Sequence, residues 1–457
     1  MSLLNIIAND ILTQPAFLIG LMSMIGLIAL RKSFNKILVG TLKPILGFLM
    51  LSAGADIIVS NLDPLGKMIE SGFNLKGIIP NNEAIVSVAQ TVLGRETMFI
   101  MVLGFAINIL VARLTKYKYI FLTGHHTFFM ACLLSAVLQT AGLSGTELIL
   151  IGGFSLGAYS AISPAICQKY TLKVTDGDEV AMGHFGSLGY YLSAWVGKLV
   201  GKPEQSTEKI KIPDRWGFLR DTTISTALTM SFFYIIAALV AGPQVVDEFS
   251  DGMNYIIFSF LAALKFSVGV AVVYAGVRMI LAELIPAFKG IALNVVPNAI
   301  PAVDCAVFFP YAPTAVIIGF VASFIGGLVG MFILGGIGAA LIIPGLVPHF
   351  FCGATAGIYG NATGGRRGAI VGAFINGLAI SFLPAMLLPV LGDLGFENTT
   401  FGDTDFGVIG ILFGKASLVG KVGVYALVAL FLLALIIPSF IKTKSPVLNN
   451  QYTEETE

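Results

Sequence analysis

The feature that most constrains this chain is its shortage of charged residues. Asp, Glu, Lys and Arg make up only 12% of its 457 residues, and hydrophobic residues make up 56%. In an ordinary soluble domain about a quarter of the residues are charged, so this chain has too few charges to cover a water-soluble globule. Apolar stretches recur along the whole length, and several approach the ~20 residues that a helix needs to cross a hydrocarbon core. The bilayer is therefore the main solvent, which predicts a polytopic membrane protein.

The spanning segments are predicted to be helices. Because lipid offers the backbone no hydrogen-bond partner, only helices and closed barrels span membranes. Barrel strands would show ~10-residue segments that alternate polar and apolar residues, and the runs 235–240 and 425–437 do not alternate. We therefore expect an all-α fold. The start, 1–14, has no Lys or Arg, unlike a secretory signal, so no cleavage is expected.

Hydropathy predicts about eleven transmembrane helices. Their segments are 15–30, 37–60, 98–112, 119–142, 147–167, 222–242, 254–282, 312–337, 341–360, 368–390 and 419–441. Lys and Arg cluster near 31–36, 113–118 and 169–220, whereas the charges of 243–253 and 391–406 are all acidic. Under the positive-inside rule, this pattern places the N-terminus outside and the C-terminus inside.

An internal repeat organises these helices. Segment 52–69 matches 274–291 at seven of eighteen positions, and three shorter matches follow in the same order. We therefore predict one membrane domain, 1–457, that contains two five-helix repeats and a final helix. The parts are a first repeat at 15–167, a cytoplasmic or interfacial connector at 168–220, a second repeat at 221–390 and the final helix at 419–441. Five is an odd number, so the second repeat would be inverted in the membrane.

Two Pro-Asn pairs mark the places where a ligand is expected. Pro80-Asn81 lies between the second and third spans, and Pro297-Asn298 is its repeat mate. Because proline and asparagine interrupt or cap helices, each pair is predicted to form a re-entrant hairpin with a half-helix starting just after it. The free amides and the dipole of such a start favour an anionic ligand group. An ordinary exposed turn is the alternative.

Ionisable residues at membrane depth are costly and therefore indicate function. The candidates are Asp56, Glu83, Arg278, Glu283, Asp304, His125, His126, His184 and His349. Glu83 and Asp304 are predicted to accept hydrogen bonds from ligand hydroxyls, and the small-residue break before His125 favours a cavity there. Structural alternatives stay open, because Asp56 could simply pair with Arg278 and a histidine in an apolar helix is often a satisfied core residue.

The connector 168–220 combines aromatic and basic residues. Tyr190, Tyr191 and Trp195 precede Lys198 and Lys202, a mixture typical of an interfacial helix with aromatic anchors. A plain cytoplasmic connector is the alternative.

Motifs for covalent chemistry are missing from the sequence. It contains no GxSxG, Walker A or HExxH pattern, and its four cysteines are widely separated. We expect the cysteines to be buried apolar residues, and we expect neither a metal nor another cofactor. The net charge of +1 does not suggest a nucleic-acid partner.

Several short strings together resemble one family. They are Arg31-Lys32-Ser33, Leu122 to His125, Val174 to Gly177 with Gly183-His184, Gly276 to Met279 with Ala282-Glu283, Asp304-Cys305, and Ile343 to Gly345. In this order they resemble the ascorbate-specific EIIC family of the phosphoenolpyruvate-dependent phosphotransferase system, from about residue 15 to residue 440.

The resemblance implies a homodimeric permease of the bacterial cytoplasmic membrane. Each protomer would have eleven helices, divided between a V-shaped dimerisation part and a core that moves against it in an elevator fashion. The core would carry L-ascorbate or a similar sugar acid inward, and a cytoplasmic EIIB protein, charged by EIIA, would phosphorylate it. The chain itself would be no enzyme. Because only the short tail 448–457 is hydrophilic, EIIA and EIIB are expected as separate polypeptides.

The resemblance also implies the ligand contacts. In this sequence they fall on Asn82, Glu83, His125, His126, Thr127, Phe128, Phe129, His184, Phe185 and Asp304. The chain departs from the family at Phe129 and Phe185, where members carry glutamines. Stacking or apolar packing by the two rings would replace two hydrogen-bonding groups.

Two other functions remain open. A proton- or sodium-coupled secondary transporter of an anionic sugar acid would use Glu83 or Asp304 as its ion site. A membrane-embedded transferase would need catalytic motifs that the sequence lacks.

Overall fold

A computed structural model describes residues 14–73, 77–80, 82–177, 180–210, 221–391 and 400–440. The helices within these ranges are α1 Pro15–Ala29, α2 Phe34–Gly72, α3 Asn82–Leu114, α4 Gly124–Thr140, α5 Gly145–Val174, α6 Ser187–Val200, α7 Thr222–Ala241, α8 Pro243–Asp247, α9 Tyr255–Asn294, α10 Pro313–Gly336, α11 Leu346–Leu391, α12 Thr404–Ser417 and α13 Lys421–Phe440. Three short strands join them, namely β1 Tyr119–Phe121, β2 Ala181–Met182 and β3 Ile300–Val303.

The helices confirm a polytopic membrane protein. Seven described helical segments are long and apolar enough to cross a bilayer, and they belong to α2, α3, α5, α9, α10, α11 and α13. Shorter apolar segments lie in α1 and α7. Every predicted segment overlaps a helix, whereas the number of eleven crossings stays a prediction.

Helix α11 shows how two predicted segments can form one long element. Its 46 residues are interrupted at Gly365, which has a φ of 59°. A Cβ atom at this position would lie 2.5 Å from the Lys202 carbonyl oxygen, so only glycine fits both the backbone conformation and the space. The two parts of α11 correspond to the predicted segments 341–360 and 368–390.

The helices group into two bundles. Helices α1, α2, α7 and α9 pack on one another and form what we call the minor bundle. Helices α3 to α6 and α10 to α13 form the major bundle, in which α11 contacts α5, α6, α10 and α12. Far fewer contacts join the two bundles. They are those of α9 with strand β3 and with the 3₁₀ helix Cys305–Tyr311, of α2 with α11, of α7 with α10 and of α1 with α4.

Glycines allow the helices of the minor bundle to approach closely. A Cβ atom on Gly54 would lie 2.8 Å from the Gly269 carbonyl oxygen, and one on Gly276 would lie 2.6 Å from the Gly47 carbonyl oxygen. Small residues at such crossings are typical of membrane helices. Both contacts join α2 to α9. The 222-residue offset of the predicted repeat relates Gly54 to Gly276 and Gly47 to Gly269, so each contact corresponds to the other. A two-fold relation between the predicted repeats would produce this reciprocity, although the repeat itself stays a prediction.

The three strands form a small parallel sheet in the order β1-β3-β2. Phe121 is paired with Ala302, and Met182 with Val303. The Gly183 N–H donates to the Val303 carbonyl (2.7 Å), and a Cβ atom on Gly183 would lie 2.3 Å from the Ala302 carbonyl oxygen. The sheet is a small addition to a chain whose described residues are mainly helical, in agreement with the predicted all-α fold class.

The sheet also corrects one of the two predicted hairpins. Helix α3 does begin at Asn82, directly after Pro80-Asn81, although Asn81 lies outside the described residues. Pro297-Asn298 is instead exposed, Asn298 has a φ of 60°, and strand β3 follows in place of a half-helix. The β-branched residues Ile300 and Val303 suit a strand.

Helix α6 is neither a plain connector nor only an interfacial anchor. It packs closely on α11 and buries Tyr190 and Ser193, while Trp195 and Leu199 remain exposed. The four cysteines are buried, as predicted. Residues 211–220 of the connector lie outside the described residues.

Candidate functional site

A cavity of about 530 Å³ lies between the two bundles. Helix α2 of the minor bundle provides one wall, which is mainly apolar and includes Phe48, Leu51 and Asp56. The opposite wall belongs to the major bundle and carries most of the polar groups. The volume lies within the usual range for small-molecule sites, about 300–1,000 Å³.

The parallel sheet brings three of the polar segments to one place. His125 follows β1, His184 follows β2 and Asp304 follows β3, each within four residues of the strand's end. Because the carboxyl ends of parallel strands meet at the same edge, segments distant in sequence converge there. A helix begins just after each strand, which also directs helix N-termini toward this edge of the sheet.

Asp304 is held from two sides. Its Oδ1 accepts a hydrogen bond from the Ala306 N–H (3.2 Å) and caps the short 3₁₀ helix Cys305–Tyr311. Its Oδ2 lies 3.3 Å from Nε2 of His125, whose side chain is 40% exposed. The carboxylate and the imidazole therefore form a pair at the cavity wall that can hold a shared proton.

His184 has a defined tautomer. Its Nδ1 accepts a hydrogen bond from the Gly186 N–H (3.1 Å) and contacts the Tyr190 hydroxyl (2.9 Å). Because the backbone N–H can only donate, the proton of the neutral ring is on Nε2. Burial lowers the pKa of His184 to about 4, although the Asp304 carboxylate acts in the opposite direction. His184 is therefore a neutral hydrogen-bond donor near pH 7.

His126 lies between two rings. Its centroid is 3.8 Å from that of His184 and 5.6 Å from that of Phe406, to which its plane is nearly parallel. Nδ1 of His126 is buried and has no hydrogen-bond partner among the described residues. A buried unpaired nitrogen is costly, and this one would contact a ligand in the cavity only after a movement of the His126 ring.

Asn82 connects the start of α3 with the segment before α12. Its Nδ2 donates to Oδ2 of Asp403 (2.9 Å), and its Oδ1 accepts from the Gly402 N–H (2.9 Å). The Cys352 thiol of α11 donates to Oδ1 of Asp403 (2.7 Å). Asn82 therefore joins two segments of the cavity wall. Its amide nitrogen and its amide oxygen are each already hydrogen-bonded within the protein.

The predicted ligand contacts divide into two groups. The structure brings Asn82, His125, His126, Phe129, His184 and Asp304 together at the cavity. It places three others elsewhere: the Thr127 hydroxyl donates to the Thr123 carbonyl, Phe128 is half-buried away from the wall, and Phe185 is fully buried. The Glu83 side chain lies outside what the structure describes.

Phe185 belongs to an aromatic cluster behind the site. Its ring stacks on Phe121 and on Tyr159, with centroid distances of 4.7 Å and 5.6 Å. The His126 ring lies in an edge-to-face arrangement with it, at a centroid distance of 6.1 Å. This ring supports the histidine pair from the side opposite to the cavity. Phe129 does line the cavity and is 9% exposed.

Other predicted ionisable residues have structural roles. Glu283 pairs with Lys43 of α2 (2.8 Å), and buried His349 contacts the Ser323 hydroxyl (2.9 Å), as expected of a satisfied core histidine. The alternative pair of Asp56 and Arg278 does not form, although both side chains are described.

Two functional candidates were missed by the sequence reasoning. Asp403 and Asp405 were counted only among the acidic charges of segment 391–406, yet they are buried, with 4% and 0% exposure. Asp403 lines the cavity. An Asp-Thr-Asp string before a short apolar run is typical of a helix start, and this signal indicates α12.

Asp405 fixes the segment that carries His184. It accepts hydrogen bonds from the Leu188 N–H (2.9 Å), the Tyr159 hydroxyl (2.8 Å), the Ser163 hydroxyl (3.3 Å) and the Thr404 hydroxyl (3.1 Å). Burial raises its pKa to about 6, and these hydrogen bonds oppose the increase. The N-terminus of α6 therefore already has an anionic partner within the protein.

The charge of the cavity wall is unusual for an anion site. None of the described residues that line it is a lysine or an arginine, and its carboxylates are Asp56, Asp304 and Asp403. The ligand would meet imidazole N–H groups, carboxylates and aromatic rings. Such a set suits a small molecule with many hydroxyl groups, because hydroxyls both donate and accept.

Comparison with known proteins gives two matches. The family model EIIC-GAT, described as "PTS system sugar-specific permease component", matches residues 10–405. The "Ascorbate-specific PTS system EIIC component" of Mycoplasma pneumoniae is similar, with 27% identity in an alignment 440 residues long that covers 82% of this chain and 65% of that protein. The chain thus spans just under two thirds of the length of that curated relative.

Proposed function

Because the chain belongs to the EIIC-GAT family of phosphotransferase-system sugar-specific permease components, we propose that it binds L-ascorbate, or a closely similar sugar acid, and carries it into the cell. It is a multi-pass protein of the bacterial cytoplasmic membrane. Permease components of this kind are transport subunits. The ascorbate assignment is supported by the Mycoplasma pneumoniae relative, whose printed name is ascorbate-specific.

The observation that carries this proposal is the position of the cavity. It lies between two bundles that share few contacts, and its polar groups come mostly from the major bundle. A ligand held by His125, His184 and Asp304 could therefore travel with the major bundle while the apolar wall of α2 stays in place. This division supports an elevator-type motion, with the minor bundle as the fixed part and the dimer interface.

Ligand recognition would use the groups at the carboxyl edge of the sheet. Nε2–H of His184 donates a hydrogen bond, Asp304 and Asp403 accept hydrogen bonds from ligand hydroxyls, and Nδ1 of His126 gains a partner. Phe129 provides an apolar surface for the carbon face of the ligand. Phosphorylation by separate EIIB and EIIA proteins would then trap the product inside.

Two measurements test this proposal. Thermal unfolding of the purified chain with a panel of sugar acids and neutral polyols should show selective stabilisation by L-ascorbate, because ligands that bind only the folded state stabilise it. In cells, labelled ascorbate should accumulate as a phosphate ester and only with phosphoenolpyruvate. Accumulation of unmodified ascorbate in cells that lack EIIB would contradict group translocation.

A second candidate is an ion-coupled carrier for the same ligand. The carboxylates of Asp304 and Asp403 at the cavity favour it, since intramembrane acids often serve as ion sites. A protonophore would then abolish uptake even when phosphoenolpyruvate is plentiful, whereas group translocation would continue.

A further inference from the structure

The wall that faces the ligand holds more acidic than basic groups. Carboxylate oxygens of Asp304 and of Asp403 each lie within 4.8 Å of a ring nitrogen of His184. Asp56 adds a third carboxylate from the opposite wall. An anionic sugar acid placed among these groups would be repelled, because charges beside a partly buried wall are screened less than charges in bulk water.

The two buried carboxylates differ in their partners. Asp403 accepts hydrogen bonds from Asn82 and from the Cys352 thiol, and donors of this kind favour the ionised form of a carboxyl group. Asp304 faces the imidazole of His125 at 3.3 Å. Because imidazole and carboxylate can share one proton, the charge of this pair is either −1 or zero, depending on whether that proton is bound.

The other groups around Asp304 are poorly placed to neutralise a ligand. The titratable residues that face it or its partners are His126 from α4, His184, Tyr190 from α6, Cys305, Cys352 from α11, Asp403 and Asp56 from α2. The rings of His126 and His184 have centroids only 3.8 Å apart, and a positive charge on one ring disfavours a positive charge on the other. His184 is also fixed as the neutral tautomer by the Gly186 N–H. Among the described side chains of the wall, His125 and Asp304 form the imidazole–carboxylate pair that can accept a proton.

We propose that the cavity takes up one proton together with its anionic ligand, and that the pair of His125 and Asp304 holds this proton. The inference rests on the proposed function, because it assumes that the ligand is a sugar acid anion. The proton comes from solvent. Once the proton is bound, the pair consists of an imidazolium and a carboxylate and has no net charge. The wall therefore carries one negative charge less when the ligand is bound.

Titration calorimetry tests the inference. L-Ascorbate is titrated into the purified full chain at pH 7.5 in phosphate and in Tris, two buffers with very different heats of ionisation. The difference between the heats observed in the two buffers, divided by the difference between their heats of ionisation, gives the number of protons taken up. This number should approach one per ligand. The affinity should fall by up to tenfold for each unit of pH increase, because proton binding and ligand binding are linked.

Two variants locate the proton. Asp304→Asn should bind with equal heats in both buffers and with an affinity that no longer depends on pH. His125→Gln should lower the proton uptake and serves as a second test if Asp304→Asn does not fold. His349→Gln is the matched histidine control, because His349 is buried outside the cavity, and it should retain the uptake of the unmodified protein.

The outcomes separate the two proposals. If ascorbate binds with equal heats in both buffers, or if Asp304→Asn and His125→Gln retain full proton uptake, the inference is wrong and the proposed function stands. If no sugar acid binds the folded chain, the proposed function itself fails.

Discussion

The carboxyl group of Asp405 accepts hydrogen bonds from four donors, and the residue is fully buried. Burial of a carboxylate is costly even when it is well hydrogen-bonded, and the pKa of Asp405 is raised from 3.8 to about 6. Asp405 therefore links the stability of the His184 segment to pH.

The sign of this linkage gives the first prediction. Between about pH 4 and pH 6 the folded state binds more protons than the unfolded state, so the free energy of unfolding falls as pH rises, by roughly 3 kcal/mol in total. Asp405→Asn should lose this contribution. Melting temperatures of both proteins from pH 4.5 to 7.5 should show the unmodified protein losing stability relative to the variant as pH rises. A constant difference across this range would contradict the prediction.

Phe129 and Phe185 allow a matched test, because one ring lines the cavity and the other is fully buried. Phe185→Gln should lower stability by roughly 3–5 kcal/mol, because it removes a stacked ring and buries an amide without partners. Phe129→Gln should cost much less, since its amide can reach the cavity. Thermal unfolding of both variants in detergent measures the difference. Equal losses would show that Phe185 is not the buried ring described above.

Helix α2 provides a test of packing at the level of elements. A Cβ atom on Gly54 would lie 2.7 Å from the backbone nitrogen of Val273, whereas one on Gly66 would have its nearest neighbour, a Leu346 carbon, at 3.9 Å. Gly54→Ala should therefore lower stability by roughly 1–3 kcal/mol. Gly66→Ala should be neutral or stabilise the helix by up to about 1 kcal/mol. Melting temperatures distinguish the two, and a harmless Gly54→Ala would rule out the close crossing of α2 and α9.

Elements differed in how far the sequence could predict them. Long helices such as α2 and α10 were found by hydropathy because each contains an apolar stretch long enough to cross the bilayer. Strand β3 was missed because it has only four residues and contains Pro301, which donates no hydrogen bond. Helix α12 was missed because it is too short for a span, and its polar start was interpreted as a loop.

The site was predictable where side chains are costly in a membrane. His125, His126 and Asp304 stand out in an apolar sequence, and the structure brings them together with His184. Asp403 did not stand out because it lies among other acidic residues in 391–406. The placement of Phe185 behind the cavity could not be inferred either, since neighbouring positions in a turn can face opposite directions.

At the scale of the whole molecule, the two bundles lead to a prediction about motion. Val59 of the minor bundle and Val347 of the major bundle line the same cavity. The double variant Val59→Cys with Val347→Cys, treated with a cleavable bifunctional thiol reagent, should bind ligand but no longer transport it, and cleavage of the reagent should restore uptake. The four native cysteines are buried, and each single variant serves as a control. Uptake that continues at full rate in the cross-linked protein would contradict an elevator motion.

The central position of β3 has a consequence for biogenesis. Strands β1 and β2 pair only with β3 among the described strands, and β3 ends at residue 303, about two thirds of the way along the chain. During synthesis, the first half therefore enters the bilayer with two open strand edges whose amides and carbonyls have no partner. Because unpaired backbone groups are costly in lipid, we expect these two segments to stay hydrated or shielded until β3 has been synthesised. The binding pocket is consequently among the last parts of the nascent protein to mature.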